Sequence, residues 1–179
     1  MKEIFSEAEY ESMLSKLFVR FPSFQKVGAG AYKPGTGNME FFDQLAGHPH
    51  RQYKLIHVAG TNGKGSTSTA ISNILIEAGY NVGLYTSPYV TDFLERVQYN
   101  GKPIDKELFS QFVEIVKPEI EKMSADGAQI TEFEALTATA FLCFSKLNVD
   151  VLVLEVGLGG RLDATNAIEK SVVSAITSI

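Results

Sequence analysis

The chain has 179 residues, 45% of them hydrophobic and 21% charged, which is enough for one domain with a buried core. The formal net charge is −5 and lysine and arginine form no cluster, which excludes a nucleic-acid partner that needs a basic face. No apolar run approaches the roughly 18 residues of a membrane span, and the first residues lack a signal-peptide core. The single cysteine, Cys143, lies in an apolar run, so we expect a buried thiol in a cytoplasmic protein without a membrane partner.

The first elements are two short helices on either side of a loop. Residues 6–18 are predicted to form an amphipathic helix with Ser6 as its N-cap. Residues 19–37 are rich in glycine and proline and predict a loop. Residues 38–46 predict a second helix that ends at Gly47.

The strongest feature follows, where a short apolar strand over residues 53–59 runs into a glycine-rich turn. The turn and the residue before it read Ala-Gly-Thr-Asn-Gly-Lys-Gly-Ser over residues 59–66, and residues 66–78 carry apolar side chains at helical spacing before Gly79. Strand, turn and helix N-terminus together aim backbone N–H groups and a positive dipole end at one spot. This arrangement is the physical basis of phosphate binding.

We predict a nucleotide site on this turn and the start of its helix, formed by Gly60, Thr61, Asn62, Gly63, Lys64, Gly65, Ser66 and Thr67. The glycines allow backbone conformations that a Cβ penalises, and Lys64 can place a charge on the outer phosphates. Ser66 or Thr67 can offer a hydroxyl to Mg²⁺. The usual spacing G-x-x-x-x-G-K-[ST] is not fully met, since Val58 replaces the first glycine and Gly65 the hydroxyl residue. An ordinary glycine-rich turn with a solvated lysine is the alternative interpretation.

The rest of the chain continues to alternate between helices and strands. Strands are predicted over residues 81–86, 96–100, 149–155 and 171–178, and helices over residues 105–123 and 131–146. Thr131 and Glu134 stand in the capping-box relation, and Asn100-Gly101 is a turn signal. Helices between continuous apolar strands predict an α/β fold, with a mostly parallel sheet covered by helices on both faces.

Two further loops at strand ends carry candidate chemistry, because ligands of such sheets bind beyond the carboxyl ends of the strands. Glu155 follows a buried strand directly and precedes a glycine-rich stretch, which is the Walker B arrangement that holds or orients Mg²⁺. Arg161 and Asp163 follow in the same stretch, and a glycine-rich turn with a solvated acid is the alternative. Ser87 offers a hydroxyl after the second strand, where a plain Ser-Pro turn is the alternative.

The remaining polar residues favour structural roles. His48 and His50 flank a proline and are expected to be solvated, whereas His57 is expected to be a hydrogen-bonded residue of a buried strand. Glu95-Arg96 is a charge pair for which a surface ion pair is the alternative interpretation. The sequence contains no Ser/His/Asp or Cys/His set and no zinc-type spacing.

Together these segments resemble the folylpolyglutamate synthase/dihydrofolate synthase family, within the wider Mur ligase group. The matching segments are residues 59–66, Thr86-Ser87-Pro88, Glu95-Arg96, residues 131–134 and residues 154–166. The phosphate loop of this family itself reads G-T-N-G-K-G-S, which accounts for the unusual spacing. The resemblance runs from about residue 19 to the end and implies a P-loop-type fold like the central domain of Mur ligases.

The resemblance implies an ATP-dependent ligase of folate biosynthesis and one-carbon metabolism, which joins L-glutamate to folate or dihydropteroate. Transfer of the γ-phosphoryl group would activate the carboxylate as an acyl phosphate, which the amine then attacks. Lys64 and Glu155 are implied as the catalytic residues, and Ser66, Ser87 and Glu155 as Mg²⁺ ligands. The implied substrate side comprises Thr131, Phe133, Glu134, Arg161 and Asp163, although the capping box explains Thr131 and Glu134 equally well.

Two departures from the family pattern qualify these implications. Tyr89 stands where the family often has histidine after Thr-Ser-Pro. The family also continues beyond a strand like residues 175–179 with a Gly-x-Asp-His segment, a lysine and a second domain. We therefore expect residues 1–179 to be the amino-terminal part of a truncated, monomeric enzyme that is inactive as a ligase on its own. The alternatives are another Mur-type amino-acid ligase and a non-catalytic nucleotide-binding module. A P-loop kinase or GTPase is a third alternative, which the lack of a guanine-reading segment disfavours.

Overall fold

The computed structural model describes residues 6–19, 21–22, 28 and 35–179, so most of the loop predicted over residues 19–37 lies outside the described residues. The helices are α1 (Glu7–Leu14), α2 (Gly37–Leu45), α3 (Lys64–Glu77), α4 (Lys106–Ala125) and α5 (Glu132–Lys146). The strands are β1 (Lys54–Ala59), β2 (Val82–Tyr85), β3 (Val97–Tyr99), β4 (Lys102–Pro103), β5 (Val151–Glu155) and β6 (Val173–Ile176). No described helix has the length and apolar character to cross a membrane.

The strands form one six-stranded sheet in the order β4-β3-β2-β5-β1-β6. Strands β2, β5, β1 and β6 run parallel, and the short β3–β4 hairpin pairs antiparallel with the β2 edge. The register aligns Val58 with Glu155 and Tyr85 with Leu154, so β1, β5 and β2 end at the same edge of the sheet. The predicted mostly parallel α/β fold is confirmed.

Helices cover both faces of the sheet, as the continuous apolar strands predict. On one face α3 packs over a small cluster whose buried members are Val58, Val82, Leu84 and Val153. On the other face α1, α2, α4 and α5 enclose the larger core, to which the strands contribute Leu55, Tyr85, Leu152 and Leu154. Alternate residues of one strand therefore enter different cores, which requires apolar side chains on both faces.

Local signals at the helix ends behave as the sequence predicts. Ser6 and Thr131 each cap a helix, and in both cases the glutamate three residues later completes the capping box. Gly47 and Gly79 follow α2 and α3 with φ of 73° and 89°, the left-handed conformation that ends helices. Asn100 and Gly101 also have positive φ and turn the chain from β3 into β4, a strand that the sequence analysis did not predict.

The prediction that His48 and His50 are solvated is wrong for His50, whereas His48 is partly exposed. Asp43 of α2 accepts from both rings, Oδ2 from His48 Nδ1 and Oδ1 from His50 Nδ1. His50 is buried, and its Nε2 accepts from the backbone N–H of Glu169 at 3.5 Å. The buried carboxylate supplies the hydrogen bonds that water would otherwise provide, which allows an imidazole to enter the interior.

We predict that Gly83→Ala destabilises the fold, because an alanine Cβ in β2 would lie 2.7 Å from Cδ1 of the buried Phe144. Overpacking of this kind costs about 2 kcal/mol, measurable as a lower urea midpoint. Gly37→Ala is the matched control, because Gly37 begins α2 with negative φ and has open space at its Cβ position. Equal urea midpoints for Gly83→Ala and the wild type would contradict the packing described for α5 on β2.

Candidate functional site

The glycine-rich turn connects the carboxyl end of β1 to the N-terminus of α3. Gly63 is the N-cap of α3 with a φ of 83°, and Gly60 has a φ of 136°, so both glycines occupy conformations unfavourable for other residues. The N–H groups of Lys64, Gly65 and Ser66 begin the helix and have no partner inside it, whereas Thr67 N–H donates to Gly63 O at 2.9 Å. Within the described part of the chain these three amides have no acceptor, and amides at the positive end of a helix dipole can bind an anion.

The side chain of Lys64 lies across the turn that precedes it. Its Nζ donates to the carbonyl of Gly60 at 2.9 Å and to that of Thr61 at 3.3 Å. The ammonium is therefore held within the turn by neutral acceptors, which a phosphate oxygen can replace with a charge-assisted bond.

The Glu155 carboxylate lies against the start of α3. It is 3% exposed, and its Oε2 accepts from the backbone N–H of Ser87 at 3.1 Å. A Cβ on Gly65 would lie 3.6 Å from the same Oε2, so this glycine allows the helix to approach the acid closely. Burial raises the pKa of the Glu155 carboxyl, while the Ser87 amide and the Lys64 charge act in the opposite direction.

The structure thus brings together three segments that are distant in sequence. Lys64 and Gly65 come from the loop after β1, Ser87 from the loop after β2, and Glu155 from the end of β5. The hydroxyl-bearing Ser66 is exposed on the same first turn of α3. Among the residues that the structure describes, no group of three or more His, Cys, Asp or Glu side chains could hold a metal ion. A cation here would depend on one carboxylate, serine hydroxyls and the phosphates of a ligand.

Two residues of the predicted nucleotide set donate their amides to the segment that follows β6. Thr61 and Asn62 donate their backbone N–H groups to Ser178 O, at 2.8 and 3.3 Å. Their side chains are exposed. Sequence analysis gave no indication of this contact, because residues 60–62 and 178 are far apart in the chain.

The predicted substrate-side residues at the start of α5 divide into two kinds. The side chains of Thr131 and Glu134 bond to each other's backbone N–H, and Glu134 also accepts from Asn38 Nδ2 at 3.0 Å. Phe133 instead presents its ring to Gly157, where a Cβ would lie 2.6 Å from the ring Cζ. The aromatic ring is therefore close to the loop that follows Glu155.

Asp163 organises the loop after β5. Its carboxylate accepts from Leu158 N–H at 2.9 Å and from the N–H and hydroxyl of Thr165 at 3.0 and 2.6 Å. His57 bonds through Nε2 to the Thr165 hydroxyl at 2.9 Å, which confirms the expected hydrogen-bonded histidine. Burial lowers the pKa of His57, so its imidazole is neutral near pH 7. Arg161, by contrast, is exposed.

Glu95 and Arg96 do not form the surface ion pair considered as an alternative. The Glu95 carboxylate accepts hydrogen bonds from the Thr91 hydroxyl and from the N–H groups of Val90, Thr91 and Asp92. These bonds lower the pKa of Glu95 to about 2. The carboxylate therefore fixes the shape of the loop that begins at Ser87.

Arg96 is buried and forms an ion pair with the buried Glu132 at the start of α5. Its guanidinium also lies 5.4 Å from the ring centre of Phe93 and 5.7 Å from that of Phe133. This pair connects the loop after β2 to the helix that carries Phe133. Sequence reasoning missed it, since the partners are 36 residues apart and share no local pattern.

Comparison by sequence and comparison by structure both find proteins named as folylpolyglutamate synthases. A curated dihydrofolate synthase/folylpolyglutamate synthase of Bacillus subtilis is 47% identical over 149 residues, which are 82% of this chain and 34% of that protein. The crystal structure of folylpolyglutamate synthase from Thermotoga maritima matches with a TM-score of 0.86 and 38% identity, over 96% of this chain and 38% of that one. Folylpolyglutamate synthase of Mycobacterium tuberculosis complexed with ADP and AMPPCP matches with a TM-score of 0.83 and 31% identity, over 96% and 36%.

The chain thus spans about a third of the length of the B. subtilis protein that it matches. No protein-family model matches the chain.

We predict that Arg96→Met lowers the free energy of unfolding by about 3 kcal/mol, because it leaves the Glu132 carboxylate buried without its partner. The double variant Arg96→Met/Glu132→Leu removes both charges and is expected to recover most of the loss. Chemical denaturation of the two single variants and the double variant gives the coupling energy. Additive effects of the two substitutions would contradict a direct buried pair.

Proposed function

The chain belongs to the folylpolyglutamate synthase/dihydrofolate synthase family, and from this membership and its phosphate loop we propose that it carries part of the ATP site of a folate-linked ligase. The proposed reaction adds L-glutamate to folate or dihydropteroate through an acyl phosphate. The observation that carries the proposal is the convergence of free helix amides, Lys64 and the buried Glu155 at one edge of the sheet. The similar folylpolyglutamate synthase of Mycobacterium tuberculosis is complexed with ADP and AMPPCP, which supports nucleotide binding as part of the proposal.

The chemistry explains why such a site is needed. A carboxylate at neutral pH is a poor electrophile and does not condense with an amine. Transfer of the γ-phosphoryl group of ATP gives a mixed anhydride, the amine of glutamate attacks its carbonyl carbon, and phosphate leaves. The protein contributes mainly by positioning the reactants and neutralising charge on the phosphates.

In the proposed nucleotide complex, the amides of Lys64, Gly65 and Ser66 bind the β- and γ-phosphates at the positive end of α3. The Lys64 ammonium exchanges the carbonyls of Gly60 and Thr61 for phosphate oxygens. This exchange is favourable, because a bond between two charged groups is stronger than one to a neutral carbonyl.

The donor chemistry at Glu155 fits Mg²⁺. One carboxylate oxygen is held by the Ser87 amide, and the other, Oε1, accepts no hydrogen bond from the described part of the chain. We propose that Glu155 and the hydroxyls of Ser66 and Ser87 hold the ion, since Mg²⁺ is typically bound by one or two carboxylates together with substrate phosphates. When bound, the metal neutralises phosphate charge. Burial keeps the Glu155 carboxylate in place before the ligand arrives.

The substrate side is proposed to include the ring of Phe133 and the exposed Arg161. Phe133 offers an apolar ring beside Gly157, which suits a planar heterocycle, and a guanidinium suits carboxylates of a glutamyl chain. Thr131, Glu134 and Asp163 are proposed to act by holding their own helix and loop, because their polar atoms already have partners there.

A monomeric state and a cytoplasmic location are part of the same proposal.

We predict that the chain binds Mg-ATP and that Lys64→Ala weakens binding at least tenfold by removing a charge-assisted bond. Glu155→Ala is expected to weaken binding in the presence of Mg²⁺ but not in EDTA. Lys54→Ala is the matched control, because Lys54 is exposed at the opposite end of β1. Isothermal titration calorimetry measures the Mg-ATP affinity of the wild type and the three variants. If all four proteins bound Mg-ATP with equal affinity, this loop would not be the nucleotide site.

We predict that the protein in its full natural length releases ADP when given L-glutamate together with dihydropteroate or a reduced folate. UDP-linked cell-wall peptides are expected to give no turnover. A coupled ADP-release assay checks both, with Glu155→Gln as the inactive control. Turnover with the UDP-linked peptide alone would identify a different Mur-type ligase, and ATP binding without any turnover would favour a non-catalytic module.

A further inference from the structure

The phosphate loop continues alongside the chain that leaves β6. Strands β1 and β6 are parallel neighbours, with Ala59 opposite Ile176. Beyond this pair Thr177 N–H donates to Ala59 O at 2.9 Å, and Ser178 O accepts from the amides that follow Gly60. An isolated antiparallel bridge between Asn62 and Ser178 completes the contact. The first half of the loop is therefore held by backbone bonds to a neighbouring segment.

The side chain of Thr177 occupies the space beside Gly60. A Cβ on Gly60 would lie 2.1 Å from Thr177 Oγ1, so the hydroxyl fills the position that any other residue would need. The same Oγ1 donates to Ala59 O at 3.2 Å. Thr177 thus contacts the peptide unit at which the chain leaves the sheet and enters the loop.

These contacts determine which groups of the loop face a ligand. The amides of Thr61 and Asn62 are engaged by Ser178, which leaves the amides at the start of α3 for an anion. The carbonyls of Gly60 and Thr61 point instead to Lys64 Nζ, at 2.9 and 3.3 Å. If the segment over residues 60–62 moved, the ammonium would lose its position relative to the free amides.

We propose that Thr177 is a positioning residue for the phosphate loop, which acts through Gly60 and the amides held by Ser178 and does not itself touch the nucleotide. The proposal rests on the proposed function of this loop as the Mg-ATP site. The hydroxyl has two tasks, to donate to Ala59 O and to limit the space beside Gly60. Serine retains both, whereas valine retains the bulk and loses the donor.

The test compares Thr177→Val with Thr177→Ser in Mg-ATP titrations of the chain. Thr177→Val is expected to weaken Mg-ATP binding about tenfold, in line with the loss of one hydrogen bond that orders the site, and Thr177→Ser to remain within about twofold of the wild type. Ser174→Ala is the matched control, since it removes an exposed hydroxyl from β6 itself, away from the loop. Thermal unfolding of each variant separates loss of binding from loss of the fold.

Amide hydrogen exchange of the nucleotide-free chain provides a readout that does not depend on binding. The amides of Thr61 and Asn62 are expected to be protected in the wild type and in Thr177→Ser, and to exchange faster in Thr177→Val. Unprotected amides in the wild type, or equal Mg-ATP affinities for wild type and Thr177→Val, would overturn the positioning role alone. A wild-type chain that binds no Mg-ATP while these amides are protected would instead overturn the proposed function, and the role of Thr177 in nucleotide binding with it.

Discussion

The parallel register of β2, β5 and β1 determines where the loops of the candidate site meet. Backbone hydrogen bonds align Val58 with Glu155 and Tyr85 with Leu154, so three strand ends reach the same edge of the sheet. A shift by one residue would turn every side chain of a strand to the other face and exchange the two cores. The register places Glu155 beside the start of α3, where neither segment alone could form a site.

Most charged and polar residues around this edge shape its loops and leave a few groups free for a ligand. Asp163 closes the loop after β5, Glu95 closes the loop after β2, and Arg96 joins that loop to α5. Among the described residues, the first amides of α3 and Oε1 of Glu155 are groups at this edge without a hydrogen-bond partner. Preorganised groups of this kind are effective in catalysis because they need little rearrangement when charge develops.

Features with local causes could be predicted from the sequence, and features with distant partners could not. The capping boxes at Ser6 and Thr131 and the glycine that follows α3 depend on residues a few positions apart, and the structure has all of them. Glu155 was recognised because an acid directly after a buried apolar strand is itself a local pattern. The ion pair of Arg96 with Glu132 has no such pattern, because the partners meet only when the sheet and α5 are assembled.

The histidines show why solvation is hard to predict from composition. The position of His50 beside a proline predicts a solvated side chain, but Asp43 on α2 supplies a buried acceptor. In the same way the sequence predicts the amides of Thr61 and Asn62 for phosphate binding, but both donate to Ser178 O. In both cases a hydrogen-bond partner far away in sequence decides what a polar group does.

We propose that the amides at the start of α3, the Lys64 ammonium and Glu155 together receive the triphosphate of a metal-bound nucleotide. A crystal structure of the chain with Mg²⁺ and AMPPCP tests it most directly. We expect phosphate oxygens on the amides of residues 64–66, with Lys64 released from the carbonyls of the loop and Glu155 facing the ion. Nucleotide bound elsewhere, with this pocket empty and Glu155 turned away from it, would contradict the account.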